Sequence, residues 1–227
     1  MRRIDLVIFD CDGVLIDSEA ISARMLVEEM RTRGIEIDLE YVARHFLGRS
    51  YPVVLKVIRE DFGVDLPEAF EADYRRRLLA AFEAELTVMP GVEAALDRLA
   101  RPYCLATSSS PARLARSLEI TGLSGRFAGR ISTASEVARG KPAPDLFLLA
   151  AERAGVAPEN CLVIEDSLNG VKAALAAGME AWRFTGGAHF RDIALPDPGE
   201  LRAHRDFARF EDFFDPRPEL ARPERAA

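Results

Sequence analysis

Four short clusters in this 227-residue chain carry side chains suited to handling an anion: Asp10-Cys11-Asp12-Gly13, Thr107-Ser108-Ser109, Gly140-Lys141-Pro142 and Glu165-Asp166-Ser167. A carboxylate can attack phosphorus as a nucleophile, and a second one nearby can donate and then recover a proton. Hydroxyls and backbone amides at the start of a helix bind anions. A lysine neutralises charge that develops during transfer. These are the residue types that phosphoryl transfer requires. Carboxylates alone would repel a dianionic phosphate, so the set calls for a divalent cation, with magnesium as the natural choice for oxygen ligands. Taken singly, each cluster also has a plainer use: an Asp pair caps a turn, a Ser-rich stretch caps a helix, and a lysine sits solvated on a surface.

The elements that must position these clusters are legible in the apolar pattern. Ile4-Asp5-Leu6-Val7-Ile8-Phe9 reads as a buried parallel strand ending in two acids, and comparable runs lie at Tyr103–Ala106, Cys161–Ile164 and, more weakly, Ala181–Phe184. Helical patterns separate them at Val92–Leu99, Pro111–Leu118, Pro144–Ala154 and Leu168–Ala177. The alternation predicts an α/β fold with a doubly wound parallel sheet, whose C-terminal strand ends face one crevice. Three of the four clusters fall at such ends. Gly13 permits a sharp turn away from the first strand.

About 90 residues separate the first strand from the second, where a crossover needs some 30. The excess reads as four helices, at Ser18–Arg33, Leu39–Phe46, Pro52–Phe62 and Pro67–Leu86, stopped at Gly34 and Gly63. The predicted organisation is a core domain of residues 1–16 and 88–227 with a four-helix cap domain at 17–87. From Pro196 onward the chain is rich in Pro, Arg and acids, and Pro216–Ala227 predicts a loose C-terminus.

In their order and context, the four clusters resemble the haloacid dehalogenase superfamily, in its branch with a helical cap after the first strand, which contains β-phosphoglucomutase-like sugar-phosphate phosphatases. The resemblance runs from Ile4 to about Phe184. It implies that Asp10 is the nucleophile and Asp12 the acid/base. It further implies that Thr107, Ser108, Ser109 and Lys141 bind the phosphate. Mg2+ would be held by Asp10, the backbone carbonyl of Asp12 and Asp166, with Glu165 acting through a coordinated water. Asp145 is expected to tether the following helix rather than to touch substrate.

Asp12 favours phosphate esters, because the members that attack carbon lack an acid/base at that position. The phosphonate-cleaving relatives use a cap lysine, whereas the only lysine in this cap is Lys56 on a predicted helix. Mutases of the branch carry a histidine ten residues after the acid/base, where this chain has Ser22. The loop Leu47-Gly48-Arg49-Ser50 resembles the segment lowered over substrate, with Arg49 either pairing with a second anionic group or simply solvated. His45, His189 and His204 are expected in packing or surface roles, and the Tyr74-Arg75-Arg76-Arg77 run is expected to include a solvated helix face.

Composition sets the outer limits. With 48% hydrophobic residues and 30% charged ones the chain predicts a filled core, and its length corresponds to one domain plus an insertion at roughly 150 residues per domain. A net charge of -7, from 37 acidic and 30 basic residues, argues against nucleic acid or anionic lipid as the main partner. No apolar run reaches the roughly 20 residues that span a bilayer. Cys11, Cys104 and Cys161 are an odd, scattered set that fits reduced thiols in a cytoplasmic protein. The expected function is a magnesium-dependent phosphatase for a small phosphorylated metabolite, a sugar or sugar-acid phosphate, working as a monomer or weak homo-oligomer. A phosphosugar mutase, or a binding protein that kept the fold and lost catalysis, are the alternatives.

Overall fold

A computed structural model describes residues 3–46, 49, 51–66, 68–193 and 199–223. The chain opens with β1 (Leu6–Phe9) and then builds α1 (Glu19–Arg31), α2 (Leu39–His45), α3 (Tyr51–Phe62) and α4 (Glu68–Glu85) before returning through α5 (Val92–Arg98) to β2 (Tyr103–Thr107). There follow α6 (Pro111–Ile120), α7 (Ser124–Phe127), β3 (Ile131–Thr133), α8 (Asp145–Ala154), β4 (Cys161–Glu165), α9 (Leu168–Ala176), β5 (Glu180–Phe184), α10 (His189–Asp192) and β6 (Arg205–Phe207).

The six strands form one parallel sheet in the order β3-β2-β1-β4-β5-β6. The sheet is doubly wound, as the sequence predicts, and the strand order reverses beside β1, so the crevice beyond the tips of β1, β2 and β4 is the topological switch point. Strand residues alternate between two apolar layers. Leu6, Ile8, Val163 and Ala181 pack with Phe147 of α8 and Val171 of α9. Val7, Phe9, Ile164 and Trp182 pack on the other face with Leu96 of α5 and Leu118 of α6. Burial on both faces is why these strands read as continuous apolar runs.

The four inserted helices are present, and their apolar residues, including Leu26, Met30, Ile58, Phe70 and Phe82, join the second of these layers. The two chain passages that connect them to the sheet run side by side: Asp17 N–H donates to Thr87 O at 3.0 Å, and Met89 N–H donates to Leu15 O at 2.9 Å. Within the first passage Gly13 has φ 75°. A Cβ there would stand 2.1 Å from Asp166 Oδ2, so only glycine allows the turn.

Two strands and the C-terminus depart from the sequence expectation. β3 has three residues, too few to show a period. β6 and the segment after it are firmly packed rather than loose: Phe207, Phe210, Phe213, Phe214 and Leu220 are buried, and the Arg217 side chain is 6% exposed and paired with Glu180. Ala100 N–H donates to Leu220 O at 2.7 Å, which fastens this segment beside α5. Average composition hid a few aromatic residues placed to meet Trp182 and Phe184 across β5. Residues 224–227, also expected to be loose, lie outside the described residues. No helix among the described residues is long and apolar enough to cross a membrane.

Candidate active site

The tips of β1, β2 and β4 converge with the 140–142 turn. Lys141 arrives on that turn and places Nζ 2.7 Å from Asp10 Oδ1 and 2.7 Å from Glu165 Oε1, with its side chain 2% exposed. The ammonium also lies over the ring of Phe147, 5.0 Å from its centroid. Burial pushes Lys141 down, but Asp10 and Glu165 outweigh it and raise it above its ordinary value, so it is a fixed cation. Burial pushes Asp10 well above the carboxylate range; Lys141 pulls it back, and Glu165, Asp166 and Asp12 push it up again.

Asp12 stands in a different environment on the same strand tip. Its Oδ1 accepts from Ser18 Oγ at 2.6 Å and from Arg113 Nη2 at 2.7 Å, while Oδ2 accepts from Ser109 Oγ at 2.5 Å. Burial again pushes upward, but the Arg113 guanidinium and the two hydroxyls prevail and hold Asp12 below its ordinary value. Two neighbouring carboxyls are thus driven in opposite directions when no cation sits among them.

The Thr107–Ser109 cluster is wired differently from the amide cradle the sequence suggests. Ser109 N–H donates to Thr107 Oγ1 at 3.0 Å, and α6 begins at Pro111, which has no N–H to offer. Ser109 serves Asp12 through its hydroxyl. Thr107 is buried, Ser108 is half-buried, and all three line the crevice.

Asp10, Glu165 and Asp166 each offer an oxygen within 4.8 Å of the others. Glu165 Oε2 accepts from Ser167 N–H at 2.7 Å, and Gly170 in the first turn of α9 leaves room for this carboxylate, since a Cβ there would stand 1.8 Å from Oε1. Asp166 is pushed well above its ordinary value by burial and then by Glu165, against the pull of Lys141. Three buried carboxylates sharing one lysine carry a surplus of negative charge, the condition that a hard divalent cation relieves. The donor set is all oxygen and fits Mg2+.

Above these residues a cavity of about 550 Å³ separates the sheet tips from the inserted helices. The helices contribute Glu19, Ser22, Glu71, Tyr74 and Arg75 to its wall, together with apolar Leu26, Phe46 and Leu78. Arg49 reaches the same cavity and is exposed; Leu47, Gly48 and Ser50, the rest of the expected specificity loop, lie outside the described residues. The Tyr74–Arg77 run is more than a solvated face, because Tyr74 is buried with its hydroxyl 3.3 Å from Ser22 O, and Arg75 pairs with Glu71 at the cavity wall.

Sequence reasoning missed Arg113, Glu19 and His189. Arg113 sits one turn into α6, 101 positions from Asp12, where no local pattern marks it. His189 was expected in a packing or surface role; the structure places Nε2 3.0 Å from Asp166 Oδ2. Its signal was available, since Thr185-Gly186-Gly187 follows the C-terminal end of a core strand, where polar residues face the crevice. The other histidines keep ordinary roles: His45 stacks on Tyr41, and His204 Nδ1 accepts from Ala181 N–H. Lys56 is exposed beside Glu60, Asp145 is tied to Arg139 at the start of α8, and the three cysteines are buried free thiols.

A doubly wound core with acids at the tips of β1 and β4, a lysine between them and helices inserted after β1 defines a Rossmann-like α/β protein with an acidic crevice at its switch point. The sequence profile of the haloacid dehalogenase-like hydrolases matches residues 4–178, and the chain belongs to that family. It is 31% identical over 198 residues to a 6-phosphogluconate phosphatase of Escherichia coli, covering 86% of this chain and 89% of the relative. It is 36% identical over 178 residues to hexitol phosphatase A of the same organism, covering 75% and 78%. Among solved structures, a HAD family hydrolase from Deinococcus radiodurans with bound phosphate and sodium superposes with a TM-score of 0.75 at 31% identity, covering 98% of this chain and all of that one.

Proposed function

We propose that this protein is a magnesium-dependent phosphatase that hydrolyses a small phosphorylated metabolite, a sugar or sugar-acid phosphate, through an aspartyl-phosphate. The observation that carries the proposal is the pair Asp10 and Asp12 on one strand tip, the first held by Lys141 and the second by Ser18, Ser109 and Arg113. Asp10 attacks phosphorus as the ester P–O bond breaks, and Asp12 gives its proton to the departing alkoxide. Asp12 then takes a proton from a water that attacks the same phosphorus, which releases phosphate and frees Asp10. Thr107, Ser108 and Ser109 line the phosphate end of the cavity. Lys141 pulls Asp10 towards its ionised form, a pull that Mg2+ among the same carboxylates would reinforce, and neutralises charge on the transferring group.

Bound among Asp10, Asp166, Glu165 and the carbonyl of Asp12, Mg2+ would supply the positive charge that lets a dianion approach these acids. Arg113 favours ionised Asp12, the form that activates water. The first half-reaction needs a proton on Asp12, so the Arg113 contact must loosen when substrate is in place.

The size of the cavity and the phosphorylated carbohydrates named for the relatives support a small substrate. Arg49, Arg75, Glu71 and Ser22 offer hydrogen bonds to hydroxyls or a distal acid. In this reading residues 17–87 act as a cap over a core of 1–16 and 88–227, closing on the paired passages at 14–17 and 87–90 to exclude water. Ser22, at the position where mutases of the branch carry histidine, accepts from Arg113 at 3.2 Å. Asp10→Asn tests the proposal: a folded variant should lose p-nitrophenyl phosphate hydrolysis by at least about 10⁴-fold. Full turnover by that variant would remove Asp10 from the chemistry.

A further inference from the structure

We propose that His189 is a positioning residue for the metal site, its ring holding the Asp166 carboxylate in the orientation a divalent cation requires. The inference rests on the magnesium reading above and extends it to a residue outside the four clusters. His189 lies just past β5, at the start of α10, and its side chain is 2% exposed. Nε2 is 3.0 Å from Asp166 Oδ2, whereas Nδ1 is buried with no hydrogen-bond partner among the described residues. An imidazole in this position carries its proton on Nε2, because a proton on Nδ1 would be an orphaned buried donor. The protonated Nε2 of His189 therefore stands in close polar contact with Asp166 Oδ2.

A ring that merely filled space would not need nitrogen, and an orphaned buried nitrogen is itself unfavourable. The site is shaped around this ring. Cβ atoms on Gly187 and Gly13 would stand 2.6 Å and 3.1 Å from His189 Cε1, so both glycines make room for it. The same stretch of chain holds Asp166 from a second side: Arg183 Nε, on β5, donates to the Asp166 carbonyl at 2.9 Å, and its guanidinium lies over the ring of Phe190, next to His189. Ala188 N–H donates to Asp17 Oδ1 at 3.0 Å, anchoring the loop to the passage that leads into α1. Carboxylate ligands need such outer partners, since a freely turning carboxylate loses orientational entropy when it binds a cation.

The test is metal affinity rather than turnover. Manganese(II) serves as the probe, its free-ion paramagnetic signal falling as it binds the full-length protein, with Mg2+ added as competitor. His189→Ala should weaken binding about 10- to 100-fold. His189→Gln, whose amide nitrogen can donate from nearly the place of Nε2, should restore most of that loss, while His189→Leu, which fills the space without a donor, should not. Melting in EDTA checks the fold of each variant, and if the alanine variant does not fold, the glutamine and leucine variants carry the comparison. Wild-type protein that binds no manganese would overturn the magnesium reading and this inference with it. Wild-type binding that is unchanged in His189→Ala, or equal in the glutamine and leucine variants, would overturn the inference alone.

Discussion

Glu19 allows a sharp test of the electrostatics of this crevice. It opens α1, is 9% exposed, lines the cavity, and its carboxyl meets no hydrogen-bond donor among the described residues. Burial, and after it the charges of Asp166 and Asp12, push its pKa from 4.5 up to about 8, against a weaker pull from His189 and Arg113. Between those values the folded protein keeps a proton that the unfolded chain has lost, so stability falls as pH rises through the window. At about 1.4 kcal/mol per pH unit, the group destabilises the metal-free fold by about 2 kcal/mol at pH 6 and about 4 kcal/mol at pH 8. Glu19→Gln keeps the shape and stays neutral. In EDTA it should melt about 5 °C above wild type at pH 6 and about 10 °C above it at pH 8, at roughly 2–4 °C per kcal/mol for a chain of this size. At pH 4.5 the two should nearly coincide. Thermal melts across pH 4.5–8 read this directly, and a difference that does not change with pH would refute the reasoning.

Other perturbations follow from the same geometry. Arg113→Met removes the cation that holds Asp12 below its ordinary value, so the alkaline limb of the kcat/KM profile, set by the proton Asp12 carries into the first half-reaction, should move to higher pH and Arg113→Lys should move it part of the way back. The methionine variant should also lose about 3 kcal/mol in urea unfolding, because Asp12 is left buried without its counter-charge. Phe213→Ala should destabilise the protein by about 3–5 kcal/mol, since Phe213 is 1% exposed and packed against Phe9 and Trp182; a loss below about 1 kcal/mol would mean that the C-terminal segment is as loose as its composition suggests.

The four polar clusters were legible because each sits at a place that local pattern already marks. A buried parallel strand is a continuous apolar run, and its C-terminal end is where polar chemistry can begin, so Asp10, Thr107 and Glu165-Asp166 could be placed on the crevice from periodicity alone. Lys141 stood out by residue type in a chain that otherwise uses arginine. The excess length between the first two strands located the four inserted helices for a similar reason, since a crossover has a known span. Short elements did not carry such marks. β3 has three residues, and β6 lies in a segment whose Pro, Arg and acid content masked the aromatic residues that pack it.

The sequence by itself determined the order of the motifs, the parallel core and the presence of an insertion, because these depend on local periodicity and on residue type at strand ends. Tertiary structure alone decided which residues serve Asp12 and Asp166. Arg113 reaches Asp12 across 101 positions, and His189 meets Asp166 from the next strand over. It also decided that two aspartates two residues apart sit in opposite electrostatic environments, one beside further carboxylates and one beside a guanidinium. Electrostatic fields and hydrogen bonds act through space over a few ångströms, and distance along the chain does not report them until the fold has brought the groups together.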